Sequence, residues 1–134
     1  MIGIIKTKPD EYLDKGPHWD NVSPWNRVSC CNGMGPEFMS KFNRKILSWL
    51  FDVLIDAVDI HDVDFTYSKK SKKAFHASNE RLCKNMILLA KNEIPWWRWH
   101  KRRRFLKYWI PLFFELVESK SGWKAFKEAK PNEV

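Results

Sequence analysis

From residue 37 onward, apolar and polar positions alternate with a helical period. Phe42, Ile46, Leu50, Leu54, Ala57, Val58 and Phe65 recur in steps that hold one face of a helix. The spacing predicts a helix from about Glu37 to Tyr67. His61 falls on the same stripe, four residues after Ala57 and four before Phe65. Asp62 sits about 100° further round. Asp52, Asp56, Asp59 and Asp64 are expected on the polar sides of this helix.

The run "SKKSKK" (68–73) reads as a polar connection that closes a helical hairpin. A second helix is expected from about Lys72 to Asn92, with Phe75, Leu82, Met86 and Leu89 as its apolar stripe. Asn79 lies on that stripe. Each helix thus carries one polar side chain on the face that meets its neighbour. A buried imidazole or amide without a hydrogen bond costs a few kcal/mol, so the two are expected to satisfy partners at the seam.

After Pro95 comes "WWRWHKRRRFLKYWIPLFFELVESKSG", which predicts a third, basic and aromatic helix from about Trp96 to Glu118, packed across the hairpin and bent near Pro111. Ser121-Gly122 ends it, and a short amphipathic piece, "WKAFKEAK", follows. Upstream, prolines and glycines punctuate residues 1–36, and "CNGMGPEF" (31–38) is a tight-loop signal because its glycines permit positive φ. No convincing strand alternation is visible. The expectation is one mostly α-helical domain over 1–134. Two long antiparallel helices and the third helix form a core at 37–118. An irregular region at 1–36 holds the Gly-rich loop, and an amphipathic segment spans 119–134.

Composition supports a folded chain. At 134 residues it buries a sizeable core, and an aromatic content of 15% with eight tryptophans argues against disorder. The net charge of +8 is unevenly spread: residues 1–66 carry −3 and residues 67–134 carry +11. A basic C-terminal half favours an anionic partner, whether nucleic acid, phospholipid or an acidic protein. Cys30, Cys31 and Cys83 form no disulfide framework, which fits a reducing, cytoplasmic setting; one bridge from Cys83 to Cys30 or Cys31 stays open. "MIGIIKTKPDEY" shows no secretory signal. The greasiest stretch, Phe105 to Val117, is interrupted by Lys107, Pro111 and Glu115, whereas a spanning helix needs about 20 apolar residues. No transmembrane segment is expected.

Two segments carry candidate chemistry. A neutral imidazole on a rigid helix accepts a proton from water near physiological pH. An adjacent carboxylate is a hard oxygen ligand for Ca²⁺, and a curled Gly-rich loop adds backbone carbonyls. His61, Asp62 and "CNGMGP" therefore fit a metal-assisted hydrolase. The blander reading of His61 is a satisfied core histidine. The second segment is "WWRWHKRRR" (96–104). Trp97, Arg98, Trp99, Lys101, Arg102, Arg103 and Arg104 suit a membrane headgroup zone, or a nucleic-acid surface with Arg on phosphates and rings on bases. The bland alternative is a solvated charged face whose tryptophans pack on the core.

The order of these features resembles the phospholipase A2 superfamily, in particular its compact, disulfide-poor viral and bacterial members. The likeness covers roughly residues 30–90. It runs from Cys31-Asn32-Gly33-Met34-Gly35, through His61-Asp62-Val63-Asp64-Phe65, to Ala77-Ser78-Asn79-Glu80-Arg81-Leu82 and Met86. The resemblance implies calcium-dependent cleavage of glycerophospholipid acyl esters. His61 would be the general base. Asp62 would bind Ca²⁺ through its carboxylate, and Cys31, Gly33 and Gly35 through backbone carbonyls. The Gly33 N–H would help hold the oxyanion, and Asn79 would stand where the family has the acid that orients the histidine. Phe65 replaces the usual tyrosine, Asn79 the usual aspartate, and Pro36 a third loop glycine. The helix cysteines of secreted members are absent at Ala57, Val58, Val63 and Asp64. The resemblance also admits a virion-associated, non-catalytic phage structural or host-interaction module. A basic nucleic-acid-binding protein is the remaining alternative.

Overall fold

The structure, a computed structural model, describes residues 12–30 and 44–130. A 3-10 turn at Trp19–Asn21 precedes α1 (Pro24–Cys30). Helices α2 (Arg44–Tyr67) and α3 (Lys72–Glu93) form the antiparallel hairpin. A 3-10 turn at Trp96–Arg98 leads into α4 (Trp99–Arg104), a π-helical stretch at Phe105–Trp109, then α5 (Ile110–Val117) and α6 (Lys120–Glu128). No strand occurs among the described residues.

The hairpin turns where the sequence changes character. Thr66 Oγ1 donates to the Asp62 carbonyl at 2.8 Å, and the Lys70 ammonium donates to the Phe65 carbonyl. Ser71 caps α3 by accepting from the Ala74 N–H at 3.2 Å, which satisfies one of the four N–H groups a helix start leaves open. At the other end Pro95 forbids continuation, and the Arg102 guanidinium donates to the Ile94 carbonyl from both Nε and Nη2.

The predicted stripes pack as expected. Leu54, Ala57 and Val58 of α2 meet Leu82, Met86 and Leu89 of α3 in one core, joined by Phe105, Ile110 and Phe113. The third helix lies against α3. It is not one regular helix but a sequence of 3-10, α, π and α segments. Pro111 has no N–H to offer the Lys107 carbonyl, and its ring crowds that carbonyl. The chain widens instead, and the Ile110 N–H reaches back five residues to the Phe105 carbonyl.

One expectation needs correcting. Asp56, Asp59 and Asp64 are not on a solvated side of α2; they are 3%, 2% and 1% exposed. The reason is the irregular N-terminal region, which carries one short helix and packs back on the core. Ser23 and Pro24 start α1, with the Asn26 N–H on Ser23 Oγ at 3.3 Å. Leu13, Trp19 and Val22 join the core and cover the far side of α2. The Asp14 N–H and carbonyl pair reciprocally with the buried Asn85 amide at 2.8 Å each, pinning this strap to α3. Asp64 pairs with Arg81 at 2.7 Å, and Arg81 also lies 3.5 Å from Asp14.

The C-terminal segment packs on the turn end of the hairpin. Ser119 caps α6 through the Gly122 N–H at 3.3 Å. Phe126 is fully buried between Phe65 and Phe75, with centroids 5.0 and 5.4 Å away, and Lys72 Nζ sits 3.9 Å over the Trp123 ring.

Candidate functional site

His61 and Asn79 meet at the seam of α2 and α3, as their stripes predict. His61 Nε2 lies 2.8 Å from Asn79 Oδ1, and the ring is 7% exposed. The Asn79 amide donates its Nδ2 hydrogens to the Val117 carbonyl at 3.2 Å and to Glu118 Oε2 at 2.9 Å. Both are acceptors, so the nitrogen end of the amide must face them, and the oxygen end must face His61. An amide oxygen only accepts. The proton of the neutral ring therefore sits on Nε2, and Nδ1 carries the lone pair. Burial drives the His61 pKa from 6.5 to about 4, against the raising influence of the Asn79 hydrogen bond and with the Arg81 charge also lowering it. The ring is neutral at physiological pH.

Phe65, one turn along α2, lies with its ring centroid 4.0 Å from that of His61. It supports the ring by contact and offers no hydroxyl. Asp62 is half-buried, one residue from His61. Asp64 does not reach the histidine; it belongs to the Arg81 pair. Burial raises the Asp64 pKa, against the lowering influence of Arg81. Cys31, Gly33 and Gly35 lie outside the described residues. Among the described residues no group of three or more His, Cys, Asp or Glu side chains is placed to hold a metal. A shallow apolar depression of about 430 Å³ lies elsewhere, lined by Cys83, Ile87, Leu88 and Phe114 among others. Cys83 is a free, half-buried thiol.

The basic and aromatic segment stands out from the body. No side chain from Trp96 to Arg104 is buried. Trp96, Trp97 and Trp99 are 75%, 63% and 63% exposed, so these three indoles do not pack on the core. Arg98, Lys101, Arg103 and Arg104 are exposed beside them. Arg102 differs: it is half-buried and caps the Ile94 carbonyl, which makes it part of the scaffold rather than a free cation.

Sequence reasoning missed Glu118 and His76. Glu118 accepts from Asn79, and both its oxygens lie 2.8–2.9 Å from His76 Nδ1. Local spacing pairs His76 with Asn79 on α3, but nothing local brings residue 118 to them.

Fold and site together define a helical domain whose central hairpin holds a neutral histidine in one tautomer. Comparison with known protein families, curated proteins and solved structures returns no match for the chain.

Proposed function

We propose that the protein is a phospholipase A2-like, calcium-dependent hydrolase of glycerophospholipid acyl esters in which His61 activates water. The observation that supports this reading is the amide at Asn79. It takes the Nε2 proton of His61 as acceptor and leaves Nδ1 as the basic nitrogen. A general base needs a fixed tautomer and an unprotonated ring, and His61 has both. The attacking water gives its proton to Nδ1 while Nε2–H stays on Asn79. Asn79 carries no charge, so it steadies the imidazolium less than a carboxylate does. Asp62 is a donor of the right type beside the base; with the carbonyls of Cys31, Gly33 and Gly35 it would hold Ca²⁺, which when bound polarises the ester carbonyl. The exposed indoles and cations of 96–104 suit the headgroup zone of an anionic membrane, where the substrate lies.

A second reading has its own observation. At 7% exposure and a pKa of about 4, His61 is a reluctant proton acceptor, and this favours a phospholipase-like helical module without turnover. Fatty-acid release from phosphatidylglycerol vesicles separates the two. The hydrolase reading expects release that is lost on adding a chelator and lost in His61→Gln. Release that survives His61→Gln overturns it. Calcium-dependent heat stability lost in Asp62→Asn, with no fatty-acid release by the wild type, establishes the module instead.

A further inference from the structure

The acid that the site lacks at position 79 is present one residue further out. Asn79 is fully buried, and its amide has two orientations of nearly equal shape. In the observed one, Nδ2 faces Val117 O and Glu118 Oε2, and Oδ1 faces His61 Nε2. In the flipped one, Oδ1 would face two acceptors, and Nδ2 would donate to His61 Nε2. The ring proton would then move to Nδ1, and the basic nitrogen would be lost. Which way the amide points therefore decides whether His61 can act.

Two groups hold it. The Val117 carbonyl is neutral and 3.2 Å away. The Glu118 carboxylate is closer, at 2.9 Å, and only 22% exposed. A charge-assisted hydrogen bond is roughly twice as strong as a neutral one, so Glu118 is the dominant restraint. Glu118 is itself held. It caps α5 through its own N–H, donated to the Leu116 and Phe114 carbonyls, and both its oxygens meet His76 Nδ1 on α3. His76 and Asn79 stand one turn apart on α3, so one carboxylate bridges two rungs of that helix.

We propose that Glu118 is the positioning residue of the His61 base: from the corner between α5 and α6 its carboxylate fixes the Asn79 amide, and with it the tautomer of His61. The site is then a three-member line, imidazole, amide and carboxylate, with one member each from α2, α3 and the α5–α6 corner. The inference rests on the reading of His61 as a base, yet the ring nitrogens report it whether or not lipid is cleaved.

The test is the ¹⁵N spectrum of the His61 ring in the full chain at pH 7. The wild type is expected to show one tautomer, with the proton on Nε2. Glu118→Leu removes the acceptor, and the Nδ1 resonance is expected to shift toward its protonated position as both tautomers become populated. Glu118→Gln keeps an acceptor oxygen and is expected to restore the wild-type spectrum. An unshifted Nδ1 in folded Glu118→Leu overturns the proposal and leaves the hydrolase reading standing. A shifted Nδ1 with no fatty-acid release by the wild type upholds the proposal and removes the hydrolase reading. If Glu118→Leu does not fold, Asn79→Asp decides. It is expected to lower the melting temperature more in the wild-type background, where it faces the Glu118 carboxylate, than in Glu118→Gln. Equal losses in the two backgrounds overturn the proposal.

Discussion

His61 shows how much one side chain's surroundings decide. Burial lowers its pKa from 6.5 to about 4, so the unfolded chain binds a proton in this window that the folded chain refuses. Stability is therefore complete above about pH 6.5 and falls as pH drops toward 4. The full shift corresponds to about 3 kcal/mol. Asp64 acts in the opposite sense, because burial raises its pKa above 3.8. Comparison with His61→Gln removes this and every other shared contribution. Urea unfolding between pH 7 and pH 4.5 is expected to give a shallower pH dependence in His61→Gln than in the wild type; equal slopes contradict the burial. The pairing of His61 with Asn79 was legible in the sequence, because each lies on an apolar helical stripe. The burial of Asp56, Asp59 and Asp64 was not. Periodicity finds the most apolar side of a helix, but it does not reveal that a distant strap covers the other side.

Among elements, the corner between α5 and α6 matters most to the site. Gly122 lies in the first turn of α6, and a Cβ there would come within 2.0 Å of the Val117 carbonyl oxygen. That oxygen receives the Asn79 amide. In an ordinary helix Gly→Ala stabilises by about 1 kcal/mol. Here the clash is with backbone, so Gly122→Ala is expected to destabilise by about 2 kcal/mol or more and to disturb the His61 ring from a distance. Thermal unfolding of Gly122→Ala checks this, and a raised melting temperature contradicts it. The long helices were readable to within a residue or two at Tyr67, Lys72 and Glu93, where polar connections and the Ser71 cap mark their ends. Helix α1 was not read: Ser23-Pro24 is a helix-start signal, but the surrounding prolines and glycines masked it. The π-helical stretch at Phe105–Trp109 has only Pro111 as its signal. A proline announces a disturbance without saying which form it takes.

Across the whole molecule, the charge asymmetry takes a physical place. His61 is buried at the seam of the hairpin, while exposed cations and three exposed indoles gather at the turn leading into α4. No helix among the described residues is long and apolar enough to cross a membrane. The proposed lipid contact at this turn is one with the headgroup zone. Vesicles rich in phosphatidylglycerol are expected to bind the protein, more weakly as salt rises. Replacing Trp96, Trp97 and Trp99 together by Ser is expected to cut binding at least about tenfold, since indoles at the headgroup zone hold in salt what the cations lose. Arg102→Met is expected to act through stability instead, because Arg102 caps α3 at Ile94. Equal vesicle binding by the triple-Ser variant and the wild type contradicts the surface assignment. The hydrolase reading depends on a neutral His61 whose basic nitrogen is Nδ1. The most direct measurement is an NMR titration of the wild-type ring. The expected result is a proton on Nε2 alone at neutral pH and a midpoint near 4. A midpoint near 6.5, or a proton on Nδ1, contradicts it.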